Sequence, residues 1–169
     1  MSFATLGALA SQLGDFTLWD HGSNPHDYYF LGMYCATESG TTWTSMDGYD
    51  MLIDDYIYME YANRVGGGIG YSGYLACENA IDLSKYSAVE ITAEAPSSVR
   101  ISVGSAENVV LGESFNGWTE FSGYQNVSTE TTFTIASPSS AGTAHPVIRT
   151  FMSNSQHPQV KIKKWRLLK

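Results

Sequence analysis

The amino-acid sequence is poor in charge, in proline and in cysteine. Charged residues make up 15% of its 169 positions, well below the ~25% of an average soluble protein, whereas 43% of the positions are apolar. That combination excludes intrinsic disorder, which requires high charge and low hydrophobicity. No apolar run reaches the ~18 residues of a membrane span, so we expect no membrane insertion. A chain of this length forms one domain and buries roughly 70% of its unfolded surface without needing disulfides or a metal.

Acidic residues outnumber basic ones by 17 to 9, and the two signs are unevenly distributed. Residues 1–84 hold 11 acids and one base, whereas residues 160–169 hold five bases and no acid. So acidic a body repels a phosphate backbone, which argues against nucleic-acid binding. The basic tail could instead meet the acidic half of a second copy, and such contacts would make a homo-oligomer.

Segment 1–14 carries the one helical pattern. Apolar residues recur at intervals of three and four between Phe3 and Leu13, and a glycine follows, so we expect a short helix over 2–14 ahead of a single domain over 15–169. The segment lacks a basic n-region and its apolar stretch is interrupted, which argues against a signal peptide.

From residue 15 onward apolar and polar residues alternate with the period of a strand. Ile57 and Met59 share one face of their segment, for example, and Tyr56 and Tyr58 share the other. Many short strands without intervening helices predict an all-β fold, an antiparallel β-sandwich. We predict strands at 17–20, 28–35, 51–53, 55–61, 71–77, 88–94, 99–103, 108–111, 119–121, 131–136, 147–152 and 160–168.

The closing strand breaks this alternation. Val160 and Ile162 have one parity and Trp165 and Leu167 the other, so a bulge near Lys163 or Lys164 is needed to bury all four apolar residues. The lysines on the other face are typical of an edge strand protected against pairing with another chain.

The second half resembles a known family. Ile81-Asp-Leu-Ser-Lys-Tyr86 precedes the alternating strand 88–93, and Gly117-Trp-Thr-Glu-Phe121 comes later, before the closing strand. This order is similar to that of carbohydrate-binding-module-like jelly rolls, and with the glycine-rich stretch 66–74 it resembles modules of phage and prophage tail or fibre proteins. The resemblance implies a jelly roll without catalytic activity, located on a virion that is made in the bacterial cytoplasm. It also implies two partners, bacterial cell-surface carbohydrate and other virion subunits.

Two other patterns indicate structure more than chemistry. Gly68–Gly73 fits the letters of a dinucleotide-binding motif, but a strand follows it where that motif requires a helix. Cys35 and Cys77 match no zinc or thioredoxin spacing. Two buried thiols are the main interpretation and a single disulfide is the alternative.

Aromatic residues give the main indication of a binding surface. Ten of the eleven tyrosines fall between positions 28 and 86, and exposed tyrosine clusters commonly mark recognition surfaces. We therefore predict Trp43, in a polar loop, together with Tyr49, Tyr56 and Tyr58 as ligand-binding residues. Half-buried strand aromatics would explain the same pattern structurally.

A weaker pattern concerns calcium. The acidic residues Asp47, Asp50, Asp54 and Asp55 supply the oxygen ligands that Ca²⁺ prefers. An Asp-Gly turn explains Asp47 equally well, so we predict no required cofactor and keep calcium as an alternative.

Three functions remain open on the sequence alone. The first is a non-catalytic module of a virion surface that binds bacterial glycan through an aromatic face. The second is a purely structural virion protein that acts in assembly. The third is a small glycan hydrolase, for which the acidic residues offer many pairs but select none.

Overall fold

The protein forms an antiparallel β-sandwich, which confirms the fold class predicted from the sequence. The computed structural model describes residues 14–35, 43–45, 52–53, 55–60, 71–110, 114–115, 118–152 and 159–169. The expected helix at 2–14 and the domain boundary after it lie outside these residues or at their limit. Within them, the helical elements are two 3₁₀ turns, η1 (Leu83–Lys85) and η2 (Ser139–Ala141).

Sheet A holds the closing strand near its centre. Its strands are β1 (Phe16–Asp20), β4 (Leu52–Ile53), β5 (Tyr56–Glu60), β8 (Ala88–Glu94), β13 (Thr131–Ala136) and β15 (Gln159–Leu168). They follow the order β13-β8-β15-β5-β4, and β1 pairs with the second half of β15.

Sheet B is the larger sheet. Its main strands are β2 (Phe30–Cys35), β3 (Trp43–Ser45), β6 (Tyr71–Cys77), β9 (Val99–Ala106), β10 (Ser114–Phe115), β11 (Thr119–Glu120) and β14 (Thr143–Met152). The order is β10-β3-β2-β6-β14-β9-β11. Two short strands are attached at its sides: β7 (Ile81–Asp82) pairs with β14 and β12 (Gln125–Val127) pairs with β9.

The main core lies between the two sheets because every second residue of each sheet faces inward. Ile91 and Ile162 come from sheet A and Leu75 and Ile148 from sheet B, and all four are fully buried in one cluster. Leu83 and Tyr86 of the Ile81–Tyr86 motif are buried in the same cluster. Beside them the Asp82 carboxylate accepts a hydrogen bond from the Ser84 hydroxyl (2.5 Å).

The predicted bulge in the closing strand is confirmed. The pairing of β15 with β8 shifts between Ile162 and Lys164, so one extra residue stands opposite β8. Val160, Ile162, Trp165 and Leu167 are all fully buried as a result.

The edge position predicted for this strand is wrong. β15 pairs with β8 on one side and with β5 and β1 on the other, so its lysines do not protect an edge. They form ion pairs on the outer face of sheet A: Lys163 with Glu94 (2.8 Å) and with Glu130, and Arg166 with Glu90 (3.0 Å). The basic tail is thus neutralised largely within its own chain.

One further strand prediction is wrong, whereas the main interpretation of the cysteines is confirmed at Cys77. Residues 107–110 form no strand; Val109 alone is buried there, and this single anchor produces the apolar pattern read as a strand. Cys77 is a free, fully buried thiol in β6, and burial raises its pKa to about 12. A disulfide from Cys77 is therefore not part of this structure.

Candidate functional site

The outer face of sheet B carries charged and aromatic side chains beside a second, smaller hydrophobic cluster. Strand alternation creates this face, because the neighbours of core residues in β6, β9 and β14 must point away from the core. The cluster consists of Tyr74, Ala76, Ala106, Val109 and Val147, with Leu31 and Trp118 packed against it.

Register brings residues from three central strands into two rows. Arg149 of β14 stands opposite Tyr74 of β6 and Ser102 of β9. Two pairs further along, and so on the same face, Phe151 stands opposite Arg100. Two arginines separated by 49 positions in the sequence therefore become diagonal neighbours on one face.

A bulged loop supplies the acidic partner and the exposed ring. β11 and β12 run in the same direction and pair with successive parts of β9, and the four residues 121–124 between them stand opposite only two residues of β9, so the chain loops outward there. Gly123 takes a φ of 111° in this loop, a conformation that other residues rarely adopt. Phe121 anchors the loop, since its ring is buried and its N–H donates to the Val103 carbonyl (2.9 Å). Glu120 and Tyr124 are thereby placed next to the arginines.

The Trp118 indole packs over Gly104 of β9, which has no side chain to occupy that space. A β-carbon built on Gly104 would lie 2.7 Å from Trp118 Cη2 and 2.1 Å from the Thr119 carbonyl oxygen. The indole meets the ring of Tyr74 edge to face, with centroids 5.0 Å apart. Tyr74 is only 2% exposed, so it supports its neighbours and cannot act as a stacking platform.

Glu120 joins the two arginines into what we name the Arg–Glu–Arg cluster (Arg100, Glu120, Arg149). Its Oε1 lies 3.5 Å from Arg100 Nη2 and its Oε2 lies 3.1 Å from Arg149 Nη1. Each carboxylate oxygen thus accepts from a different guanidinium. The cluster contains two positive charges and one negative charge.

Aromatic rings orient both guanidinium groups. Arg100 Cζ lies 4.1 Å from the centroid of the Tyr124 ring. Arg149 Cζ lies 5.7 Å from the Tyr74 centroid and 5.9 Å from that of Phe151. Such cation–π contacts contribute about 0.5–1 kcal/mol each at exposed sites. They place both guanidinium groups against aromatic rings before any ligand binds.

Arg100 and Tyr124 are partly exposed to solvent. The Arg100 side chain is 41% exposed and Tyr124 is 54% exposed. Exposed aromatic rings beside fixed hydrogen-bond donors and acceptors are suited to stacking on sugar rings and binding their hydroxyl groups. The arrangement therefore has the chemistry of a glycan-binding surface.

Trp43, the first predicted ligand-binding residue, lies on this sheet. It belongs to β3, where its backbone pairs with Cys35 of β2 and Phe115 of β10. The prediction of a loop at this position is wrong, because the backbone of Trp43 pairs with β2 on one side and with β10 on the other. Ser45 is opposite Met33, and Met33 is opposite Tyr74, so position 43 has the same strand parity as Tyr74.

Tyr56 and Tyr58 lie on the other sheet. Both are half-buried on the outer face of β5, with ring centroids 6.4 Å apart. Lys161 of β15 is placed over the Tyr56 ring at 5.0 Å. Both tyrosines point outward, as the alternation predicts, but they belong to a different sheet from Trp43. Their role in binding stays a prediction.

The remaining predicted residues are one tyrosine and the four aspartates proposed as alternative calcium ligands. Tyr49, Asp47, Asp50 and Asp54 lie outside the described residues, and Asp55 is exposed in the turn before β5. No group of three or more potential metal ligands occurs among the described residues, so the calcium alternative stays untested.

Sequence reasoning missed the Arg–Glu–Arg cluster, although part of it was accessible. Val99, Ile101 and Val103 face inward, so the same alternation turns Arg100 outward. Its meeting with Arg149 and Glu120 depends on the strand order of sheet B, which local patterns do not contain.

Comparisons with known proteins describe the fold. No protein-family model and no curated protein matches the chain. The solved apo structure of the carbohydrate-binding module BiXyn10A CBM1 is similar over 89% of this chain and 94% of its own, with a TM-score of 0.51 and 11% identity. The fold is thus that of a carbohydrate-binding-module-like β-sandwich.

Two other solved structures align with lower scores. A variant of the family 29 carbohydrate-binding module CBM29-2 aligns over 90% of each chain, with a TM-score of 0.48 and 14% identity. The K1 cleaved adhesin domain of Lys-gingipain from Porphyromonas gingivalis aligns over 92% of this chain and 93% of its own, with a TM-score of 0.47 and 15% identity. Separately, the described residues contain no helix long and apolar enough to cross a membrane.

Proposed function

We propose that this protein is a non-catalytic carbohydrate-binding module and that glycan binds on the outer face of sheet B. The observation that carries the proposal is the Arg–Glu–Arg cluster with the exposed ring of Tyr124 stacked on Arg100. Sugar rings stack on aromatic faces while arginine and carboxylate groups bind their hydroxyl groups. The similarity of the fold to BiXyn10A CBM1 is compatible with this function.

The state of Glu120 supports binding over catalysis. Glycoside hydrolysis requires two carboxyl groups, one of which delivers or removes a proton at the glycosidic oxygen. Both oxygens of Glu120 already accept from arginines, which favours a fixed acceptor for sugar hydroxyl groups. On this proposal a bound oligosaccharide is released unchanged.

A glycan array followed by titration calorimetry tests the location of the site. Tyr124→Ala should weaken binding of an array hit by about 1–3 kcal/mol if the ring stacks on a sugar, and Arg100→Gln should also weaken it. Tyr56→Ala is the matched control on sheet A and should leave the affinity unchanged. Loss of binding in Tyr56→Ala alone would move the site to sheet A, as the tyrosine pattern predicts. No binding by a multimerised protein would contradict the function itself.

Trp43→Ala examines the edge of the same face. We expect it to weaken the binding of long oligosaccharides more than that of short ones, because two strands, β2 and β6, separate β3 from β14. An equal effect on all chain lengths would place Trp43 at the centre of the site.

We further propose that the glycan belongs to a bacterial surface and that the module is part of a phage or prophage virion. The support is the resemblance carried by Ile81–Tyr86 and Gly117–Phe121. Many copies on one particle would turn weak single-site binding into firm attachment. Mass spectrometry of purified particles should detect the chain, and its absence from them would contradict this location. Light scattering would show whether the protein also self-associates.

A further inference from the structure

We infer that the Arg–Glu–Arg cluster selects glycans that bear carboxylate groups, such as those containing uronic or sialic acids. This inference rests on the proposed function and names the ligand class of the same site. Among the described residues, a single carboxylate, Glu120, bridges the two guanidinium groups, and its contact with Arg100 is the longer of the two.

Arg100 is the group with the capacity to bind such a carboxylate. Guanidinium carries five N–H donors, and Glu120 accepts from one of them, at Nη2, over a long distance of 3.5 Å. Arg149 makes the shorter contact with Glu120, at 3.1 Å, and its side chain is less exposed, 27% against 41%. Glu120 therefore interacts mainly with Arg149, and Arg100 keeps guanidinium N–H donors that a ligand can bind.

Stacking gives Arg100 the fixed plane that carboxylate recognition requires. Its guanidinium lies over the Tyr124 ring at 4.1 Å, so the ligand need not immobilise a flexible side chain. Two parallel N–H···O bonds join guanidinium and carboxylate in a planar, bidentate pair, which is stronger than bonds to neutral hydroxyl groups.

Desolvation makes the preference selective. A neutral sugar placed over Arg100 removes water from a charged group and returns only hydroxyl oxygens, whereas a carboxylate supplies the opposite charge. Short-range pairing then decides the affinity.

Titration calorimetry of the full chain provides the test. The probes are uronic-acid and sialic-acid oligosaccharides, each paired with its carboxyl-reduced counterpart, which keeps the backbone but loses the charge. We expect at least one acidic probe to bind about tenfold more tightly than its reduced form, a ratio that corresponds to one additional charge-assisted hydrogen bond.

Variants assign the preference to Arg100. Arg100→Gln should reduce the ratio of affinities to near one, and Arg100→Lys should give an intermediate ratio, since it keeps the charge but loses the planar fork. Lys161→Gln is the matched control: it removes a positive charge that lies over a tyrosine on sheet A, and the ratio should stay unchanged. Equal melting temperatures establish that the variants are folded.

The outcomes separate this inference from the proposed function. Equal or tighter binding of the reduced probes overturns the carboxylate preference and leaves glycan binding in place. Binding of a phosphate-bearing wall polymer without binding of carboxylate probes also overturns it. Failure of all probes and of every glycan on the array contradicts the proposed function itself.

Discussion

Gly104 is the residue on which the outer face of sheet B depends sterically. We predict that Gly104→Ala lowers the free energy of unfolding by about 1–3 kcal/mol, the usual cost of overpacking. The added β-carbon would meet the Thr119 carbonyl oxygen at 2.1 Å and Trp118 at 2.7 Å. One of these atoms belongs to the backbone, so β11 itself must shift. Urea denaturation with circular dichroism measures the change.

Gly14→Ala is the matched control for this substitution. A β-carbon on Gly14 would meet nothing within 4 Å, so the stability should change by less than about 0.5 kcal/mol. Equal stabilities of the two variants would show that Trp118 and β11 yield freely.

Cys77 illustrates how burial controls the reactivity of a side chain. Burial raises the pKa of its thiol to about 12, and only the thiolate attacks alkylating reagents. We predict that iodoacetamide at about pH 8 modifies Cys77 at least 100-fold more slowly in the folded protein than in urea. Peptide-resolved mass spectrometry gives both rates. Ala136→Cys, which places a thiol at an exposed position, should react rapidly in the folded protein and serves as the control.

At the scale of the element, β15 is stabilised by its outer face as well as by its core face. Lys163 contacts both Glu94 and Glu130, and Lys161 lies 3.9 Å from Glu94. The hydrogen bond from Lys163 holds the pKa of the Glu94 carboxyl below its ordinary value. These ion pairs connect β15 to β8, and through Glu130 they also connect β15 to the loop that precedes β13.

Glu94→Gln tests the contribution of these ion pairs to stability. We predict a loss of about 0.2–1 kcal/mol at neutral pH, the range for exposed ion pairs. Because the pKa of Glu94 is lower in the folded state, its contribution is present above about pH 4.5 and disappears as the pH falls through the lowered value. Wild type and variant should therefore become equally stable near about pH 2. Glu107→Gln, at an exposed loop position, should lose nothing; a difference that persists in acid would contradict the ion-pair explanation.

Elements differ in how far local sequence determines them. The bulge in β15 could be predicted, because four apolar residues of mixed parity have one way to be buried together. The strand at Trp43 could not, since the polar residues 43–45 form a strand only through their pairing with β2 and β10. The segment after β9 shows the opposite error. Its apolar residues predict a strand, but residues 107–110 form none, and Val109 alone is buried there.

For the whole molecule, the two outer faces have different electrostatics. Sheet A pairs its lysines and glutamates, whereas sheet B gathers two arginines around one carboxylate. Alternation in the sequence predicts which residues point outward. Strand order decides which of them meet, and it joins β9, β11, β12 and β14 into one site. Tyr124, the one tyrosine outside the 28–86 cluster, contacts this site for that reason.

The pH dependence of stability is the prediction that belongs to the whole molecule. We expect the free energy of unfolding to be highest between about pH 7 and pH 9. On the acid side, burial lowers the pKa of His26, which stacks on Phe16 with centroids 4.2 Å apart. The unfolded chain therefore takes up a proton near pH 6.5 before the folded chain does, and stability falls as the pH decreases.

The alkaline side follows from Cys77 with the opposite sign. Its thiol ionises at about pH 9 in the unfolded chain and at about 12 in the folded one, so unfolding releases a proton between these values. Stability should fall there by up to about 1.4 kcal/mol per pH unit. Urea denaturation at each pH measures both limbs. His26→Gln should flatten the first step below pH 6.5 and Cys77→Ala the step above pH 9, each without altering the other limb. A profile that is flat above pH 9 in wild type would mean that Cys77 is reached by solvent and is not sealed in the core between the sheets.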